Sequence, residues 1–182
     1  AVFRRFGTLW IVSDNPNAST FTPNVTGPQA PFLGGPKLFK FSDGTAWRYA
    51  MPEGQTIHIK RNNLTWHVIV TNDKPPQLSP LEFDTKVDEM TEKVKLMTEM
   101  DGVGKILSFE DPSVGDVLFV VPTNQETVRF DHGRRFPDID IMPADLGLVV
   151  RPLADDISVN RLGSYVIIAS PEGLKATPGA VS

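Results

Sequence analysis

The chain has 182 residues, with 18 basic and 22 acidic side chains and a formal net charge of −4 at pH 7. An acidic chain lacks the basic field that a general nucleic-acid-binding protein requires, so we expect no nucleic-acid partner. The absence of cysteine excludes disulfides, thiolate metal sites and cysteine nucleophiles.

Turn-forming residues indicate a β-rich chain. Glycine and proline together number 14 + 16 = 30 residues, which favours short strands with many turns and long connections. No apolar run approaches the roughly 18 residues that a membrane-spanning helix needs, so we expect no membrane span.

The first predicted element is a β-hairpin over residues 1–13. An Arg5-Phe6-Gly7 bend separates its two apolar runs, and glycine at a bend supplies the positive φ that tight hairpin turns often need. Residues 14–37, which are rich in proline and glycine, are then expected to form a long loop.

Two further hairpins are predicted before residue 73. Apolar runs at 38–41 and 46–49 flank the Asp43-Gly44 dipeptide, which is typical of tight hairpin turns. Alternating apolar residues follow on either side of an Arg61-Asn62-Asn63 bend. We predict that residues 1–73 form a first β unit that includes the long proline- and glycine-rich loop.

Residues 84–100 fit both a helix and a strand. Apolar residues from Val87 to Met97 recur at helical spacing, but the alternation from Val94 to Met100 fits a strand equally well. No clear helix cap precedes the run and the rest of the chain has strand patterns, so we favour a strand. We expect the part at 93–100 to pair with 104–109.

The run Val117–Val121 is entirely apolar, which is typical of a strand buried on both faces. We expect this strand to pair with residues 127–130. The charged, proline-containing segment 131–145 is interpreted as a loop.

A third bend, Arg161-Leu162-Gly163, lies inside a hairpin over residues 157–169. Three bends of the form Arg-x-(Gly/Asn) suggest one hairpin unit used three times. We predict an all-β fold of repeated antiparallel hairpins that form a sandwich or a partly open barrel, with a partial propeller-like repeat as the alternative. Residues 74–175 form the second predicted β unit, which contains the duplicate hairpin, and 176–182 form a linker.

Two groups of residues are candidate binding sites. Trp47 and Trp66 could stack on a sugar ring, although strand tryptophans more often pack in a core. The second group is a dense polar cluster that could form a binding surface or, equally, a solvated loop. The members of this cluster are Arg129, Asp131, His132, Arg134 and Arg135.

No catalytic or cofactor motif accompanies these candidates. The chain has no G-x-S-x-G, H-E-x-x-H, P-loop or G-x-G-x-x-G sequence. His58 and His67 share one hairpin, but a third metal ligand is not evident. We therefore expect no cofactor, no metal and no catalytic residue, and we keep a hydrolase centred on Asp131 and His132 as the second alternative.

Three stretches of the chain resemble a known class of proteins. They are residues 3–10 (FRRFGTLW), 110–122 (EDPSVGDVLFVVP) and 146–156 (LGLVVRPLADD). Together they are similar to the β-rich N-terminal region of large envelope proteins of alphaproteobacteria, which typically continue into tetratricopeptide repeats. The resemblance implies a periplasmic location and a scaffolding or partner-binding role, and it carries no catalytic residues.

We therefore expect a non-enzymatic structural or interaction module of a cell-envelope or motor-type assembly, in the periplasm or another extracytoplasmic compartment. The module would bind other proteins of the assembly, or further copies of itself, through its β surface and through extended arms at residues 14–37 and 72–83. The first alternative is a module that binds glycan or peptidoglycan.

Overall fold

The computed structural model describes residues 1–20, 24, 26, 27, 34–77 and 79–175. Within these residues the chain is all-β, with four antiparallel sheets and one 3₁₀ helix at Pro16–Thr20. None of these sheets closes into a barrel and the arrangement is sandwich-like, which confirms the predicted fold class. No helix of the described segments is long and apolar enough to cross a membrane. The predicted linker at 176–182 lies outside them.

The strands are short, as the spacing of turn residues predicts. In chain order the described strands are β1 (Val2–Arg5), β2 (Thr8–Ser13), β3 (Lys37–Phe41), β4 (Gly44–Ala50), β5 (Thr56–Asn62), β6 (Thr65–Thr71), β7 (Asp84–Val87), β8 (Val94–Glu99), β9 (Leu107–Glu110), β10 (Val117–Val121), β11 (Arg134–Arg135), β12 (Ile139–Met142), β13 (Leu148–Pro152), β14 (Ser158–Leu162) and β15 (Tyr165–Ala169).

The strands form three larger sheets and one separate hairpin. The N-terminal sheet has the order β1-β2-β4-β3, the central sheet β11-β12-β13-β10-β9 and the C-terminal sheet β14-β15-β8-β7. The strands β5 and β6 form a two-stranded sheet of their own. Among the described strands, β9 and β14 are therefore edge strands, each with one side that carries no neighbouring strand.

The central sheet is buried on both faces. Leu118 and Val120 of β10 belong to one apolar cluster together with Trp10 of the N-terminal sheet. The next residue of β10, Val121, belongs to a second cluster that includes Val166 of the C-terminal sheet. The central sheet therefore lies between the other two. The residues from Leu118 to Val121 are all apolar because the two faces of β10 meet two different cores, whereas Val117 at the start of the strand is exposed.

A third apolar cluster joins the β5–β6 hairpin to the N-terminal sheet. Leu9, Trp47 and Tyr49 pack there with Ile57 of β5 and with Leu146. The proposed boundary at residue 73 stays a prediction, and buried contacts exist between residues on both sides of it.

Several predicted pairings are wrong because the strands choose partners distant in sequence. Residues 84–100 contain strands, as favoured, but β8 pairs with β7 and β15 and does not pair with β9. The strand β10 pairs with β9 and β13, while Phe130 forms only an isolated bridge with Ala144. The segment 131–145, interpreted as a loop, contains β11 and β12.

Two of the three predicted bends have the same side-chain hydrogen bonds. The Nε of Arg61 donates to the Asn63 carbonyl oxygen at 2.9 Å, and the Nε of Arg161 donates to the Gly163 carbonyl oxygen at 2.9 Å. Asn63 and Gly163 both have positive φ. Arginine at this position therefore closes the turn by binding its own backbone two residues on.

The first bend is built differently, so it is not a third copy. Arg5 is the last strand residue before its loop, where it pairs with Thr8. Arg61 and Arg161 each lie one residue pair further from the loops of their own hairpins. A shift of one residue turns a strand side chain to the opposite face of the sheet. Arg5 accordingly binds the buried Asp111 and the partly buried Asp116 instead of a turn carbonyl.

Candidate partner-binding edge

The predicted polar cluster is divided between buried and exposed surroundings. Arg129 is buried and forms an ion pair with Asp131 through its Nε, while its Nη2 lies 3.8 Å from an oxygen of the buried Asp145. Arg4 pairs with the same Asp145 carboxylate from the N-terminal sheet at 3.1 Å. Arg129 and Asp131 thus belong to a structural ion cluster that joins sheets.

The other members of the predicted cluster do not converge on a cleft. His132 is exposed and has no hydrogen bond or ion pair within the described part of the chain. Arg134 and Arg135 form the short strand β11, and the Arg134 guanidinium lies 5.0 Å from the centre of the Phe136 ring. No group of three acidic or histidine side chains that could hold a metal ion occurs in the described ranges.

The two candidate tryptophans lie in the third apolar cluster. Trp47 is 7% exposed and packs in the core, so its ring surface is covered by protein. Trp66 is partly buried, with the Arg61 guanidinium 5.4 Å from its ring centre. A stacking role for Trp66 stays a prediction, and the packing of Trp47 gives a ligand no access to its ring in this conformation.

A buried ionic cluster fixes the N-terminal sheet against the central sheet. The Nη1 of Arg5 donates to Asp111 at 2.6 Å and to Asp116 at 2.7 Å, and the Arg5 side chain is 3% exposed. Arg151 of β13 lies beside Asp116 and pairs with Asp140 at 2.7 Å. The hydrogen bond from Arg5 holds the pKa of Asp116 below its ordinary value of 3.8. Such paired charges hold the two sheets in a fixed geometry.

An open groove lies between the two edge strands β9 and β14. It is on the face of the central sheet that meets the C-terminal sheet, opposite the face that meets the N-terminal sheet. Its volume is about 610 Å³, and its walls are partly apolar. The lining residues are Gly104, Lys105, Ile106, Leu107, Ser108, Phe119, Val159, Asn160 and Arg161. The groove is therefore bounded on both sides by strand edges of two stacked sheets.

The register of β9 determines which backbone groups face the groove edge. Just beyond the last strand pair, the Asp111 N–H donates to the Asp116 carbonyl oxygen at 2.8 Å. Hydrogen-bonded and non-hydrogen-bonded residue pairs alternate along an antiparallel ladder. Phe109, two residues before Asp111, therefore also forms backbone hydrogen bonds with β10. The N–H and C=O groups of Ser108 and Glu110 therefore point away from β10. Within the described ranges, no group of another element bonds to them.

Side chains cover this same edge just before β9 begins. The Val103 carbonyl oxygen accepts a hydrogen bond from Arg161 Nη1 at 2.7 Å, and the Lys105 N–H donates to Asp14 Oδ2 at 2.9 Å. The Lys105 ammonium is in turn paired with Asp43 at 2.6 Å. For the part of the chain that the structure describes, the covering ends at Lys105, so the uncovered part of the edge runs along β9.

Such an edge can accept an extended peptide as an additional strand. Main-chain hydrogen bonds supply affinity in this mode of recognition, and pockets for alternate side chains supply specificity. Sequence analysis missed the site because a strand becomes an edge only through its distant partners. The local signal was the alternation of buried Leu107 and Phe109 with exposed Ser108 and Glu110.

Comparison of this chain with protein-family models, with curated proteins and with solved structures finds no match.

Proposed function

We propose that this chain is a non-enzymatic interaction module that binds an extended segment of a partner protein by adding it as a strand to β9. The observation that carries the proposal is the uncovered pair of outward-facing backbone positions, Ser108 and Glu110, beside a partly apolar groove. Proteins commonly protect edge strands with charged or covering side chains. Among the described residues the covering stops at Lys105 and leaves the outer edge of β9 without a bonded neighbour.

The surrounding architecture supports a binding role. The central sheet is held on both faces by apolar clusters, and the buried Arg5 cluster fixes it to the N-terminal sheet. A rigid sheet offers its edge without a large ordering cost, which favours affinity. The resemblance to envelope proteins makes a periplasmic assembly our proposed setting for the partner, and a binding module is what that resemblance implies.

The proposal is tested by selecting peptides on the folded chain. A displayed library of random 12-residue peptides serves as the probe, and the enriched peptides are measured against variants of the chain. Ser108→Pro removes an outward N–H without removing a bond to β10, so it should abolish binding while the chain stays folded. Ser108→Ala keeps the N–H and should bind as the original chain does.

A proline on another open edge is the matched control. The Asp88 N–H donates to the Lys93 carbonyl oxygen at 2.9 Å, so by alternation Thr85 of β7 faces outward as Ser108 does. Thr85→Pro should leave peptide binding unchanged. If Ser108→Pro fails to fold, Glu110→Pro tests the same edge. Peptides that bind Ser108→Pro as well as the original chain, or a selection that enriches none, would contradict the proposal.

A further inference from the structure

We infer that the segment received by β9 carries an acidic side chain that pairs with Arg161, and apolar side chains at alternate positions that pack on the groove floor. This inference rests on the proposed function and specifies the chemistry of its ligand. It is carried by the position and the uncompensated charge of Arg161.

Arg161 is exposed, lines the groove and has no acidic partner among the described residues. Arg5, Arg129 and Arg151 each form an ion pair with at least one aspartate, and Lys105 pairs with Asp43. The hydrogen bonds of Arg161 within the described residues go to neutral carbonyl oxygens, and no described carboxylate oxygen lies within 4 Å of it. Its positive charge is therefore available to a ligand carboxylate.

The guanidinium of Arg161 is also held in position before a ligand arrives. Its Nε is bound to the Gly163 carbonyl oxygen at 2.9 Å and its Nη1 to the Val103 carbonyl oxygen at 2.7 Å. A side chain fixed in this way loses little conformational entropy on binding. Charge-assisted contacts from a preorganised guanidinium to a carboxylate are among the stronger hydrogen bonds in proteins.

The groove floor supplies the apolar part of the specificity. Ile106 and Phe119 are partly buried and Val159 is buried, and all three line the groove. In an added strand, successive side chains point to opposite faces, so every second residue would face this floor. A segment bound to β9, here called the guest, would bury apolar residues at alternate positions on this floor.

A second charge fixes the register of the guest. Glu110 is exposed at the far end of β9 and shares its face with Ser108, which lines the groove. A carboxylate of the guest at that end would meet a like charge, which destabilises directly facing pairs. The acidic residue of the guest therefore lies at the end beside Gly104, where Arg161 is, and not at the Glu110 end.

The test uses the peptides selected on the full chain. We expect enriched sequences to alternate apolar residues and to carry Asp or Glu near one end. In an enriched peptide, Asp→Asn should weaken binding about 5- to 10-fold, as a partly screened ion pair would. Arg161→Met should weaken the original peptide by a similar factor, and it should have little further effect on the Asp→Asn peptide.

Arg61→Met is the matched control variant. Arg61 makes the same pair of bonds to backbone carbonyls, but it lies in the β5–β6 hairpin and does not line the groove. Its replacement should leave the dissociation constant unchanged. If Arg161→Met distorts the hairpin, the Asp→Asn peptide still tests the inference, because the protein is then unaltered.

The outcomes separate this inference from the function on which it rests. Peptides that need the Ser108 edge but show no acidic preference, or that tolerate Asp→Asn without loss, would overturn the inference and leave strand addition standing. Peptides that bind independently of Ser108 would overturn the proposed function, and with it the role of Arg161.

Discussion

Arg61 and Arg161 make matching contacts with one pair of neighbouring backbone segments. The Nη1 of Arg61 donates to the Asn124 carbonyl oxygen at 2.8 Å, and the Nη1 of Arg161 donates to the Val103 carbonyl oxygen at 2.7 Å. The two segments are bridged to each other between Val103 and Thr123. Two hairpins from different sheets are therefore fastened to one extension of the central sheet.

We predict that both arginines stabilise the fold to a similar extent. Arg61→Met and Arg161→Met should each lower the free energy of unfolding by about 1–2 kcal/mol, because each removes two charge-assisted bonds to carbonyls. Urea denaturation measures the change. Lys60→Met, at the exposed position next to Arg61, should change stability by less than about 0.5 kcal/mol. A loss in one arginine variant but not in the other would contradict the equivalence of the two hairpins.

The ion pairs Arg5–Asp111 and Lys105–Asp43 have the same length, 2.6 Å, but opposite burial. Arg5→Met leaves the buried Asp111 without its cation and leaves Asp116 to Arg151, 3.7 Å away, so it should destabilise the chain by about 3–5 kcal/mol. Lys105→Met removes an exposed pair, which should cost about 0–1 kcal/mol. Chemical denaturation of the two variants in the same buffer makes the comparison. Equal losses in the free energy of unfolding would show that burial does not determine how much each ion pair stabilises the chain.

The hydroxyl of Tyr49 is buried without a hydrogen-bond partner among the described residues. Tyr49→Phe should therefore leave stability unchanged or raise it by up to about 1 kcal/mol, because an unsatisfied polar group is removed. A measurable destabilisation by the same variant would indicate that the hydroxyl has a partner in solution.

Burial also raises the pKa of Tyr49 above its ordinary value of 10.0. The chain has two tyrosines, so Tyr165→Phe leaves Tyr49 as the one observed in a spectrophotometric titration. We expect its midpoint above pH 10. The folded state resists ionisation of this group, so its contribution to stability is present below pH 10 and is lost as the pH rises through the raised pKa. A midpoint at or below 10 in a folded chain would contradict the burial.

Two aspartates should change stability with pH in opposite directions. The hydrogen bond from Arg5 lowers the pKa of Asp116, so its stabilising contribution is present above pH 3.8 and is lost as the pH falls through the lower folded value. Burial raises the pKa of Asp145, against the opposing charges of Arg4 and Arg129. Its contribution is greatest below pH 3.8 and declines as the pH rises through the raised value.

The measurement is the free energy of unfolding as a function of pH for the original chain, Asp116→Asn and Asp145→Asn. The advantage of the original chain over Asp116→Asn should shrink on acidification below pH 3.8. Its advantage over Asp145→Asn should shrink instead as the pH rises above 3.8. Parallel curves for the two variants would contradict the predicted difference between the carboxylates.

Local patterns were sufficient to predict the hairpins between consecutive strands but not the pairings between strands distant in sequence. The Asp43-Gly44 dipeptide lies at the β3–β4 connection, and the bends at Arg61 and Arg161 lie at hairpin ends, because turn chemistry acts over a few residues. The pairing of β8 with β15 could not be predicted in this way, because the apolar residues of both strands could pack equally well against many other strands.

The charged residues of the segment 131–145 concealed the strand β12 from sequence analysis. In β12, Asp140 separates the buried Ile139 and Ile141, an alternation hidden among the charges of residues 131–145. Its carboxylate is neutralised by Arg151 at 2.7 Å, a partner that only the folded sheet supplies. The edge position of β9 is likewise a property of the whole sheet, so no local pattern could have shown that its outward backbone groups are uncovered.

The contacts of Arg5 also have a consequence for the order of events during synthesis. Asp111 and Asp116 follow Arg5 by 106 and 111 residues, and Asp145 follows Arg4 by 141. A chain emerging from the ribosome therefore exposes its first two strands long before their counter-ions and the apolar cover of Trp10 have been translated. The opening hairpin must wait in an unfinished state, a stage at which incomplete β-proteins are prone to aggregation and depend on molecular chaperones.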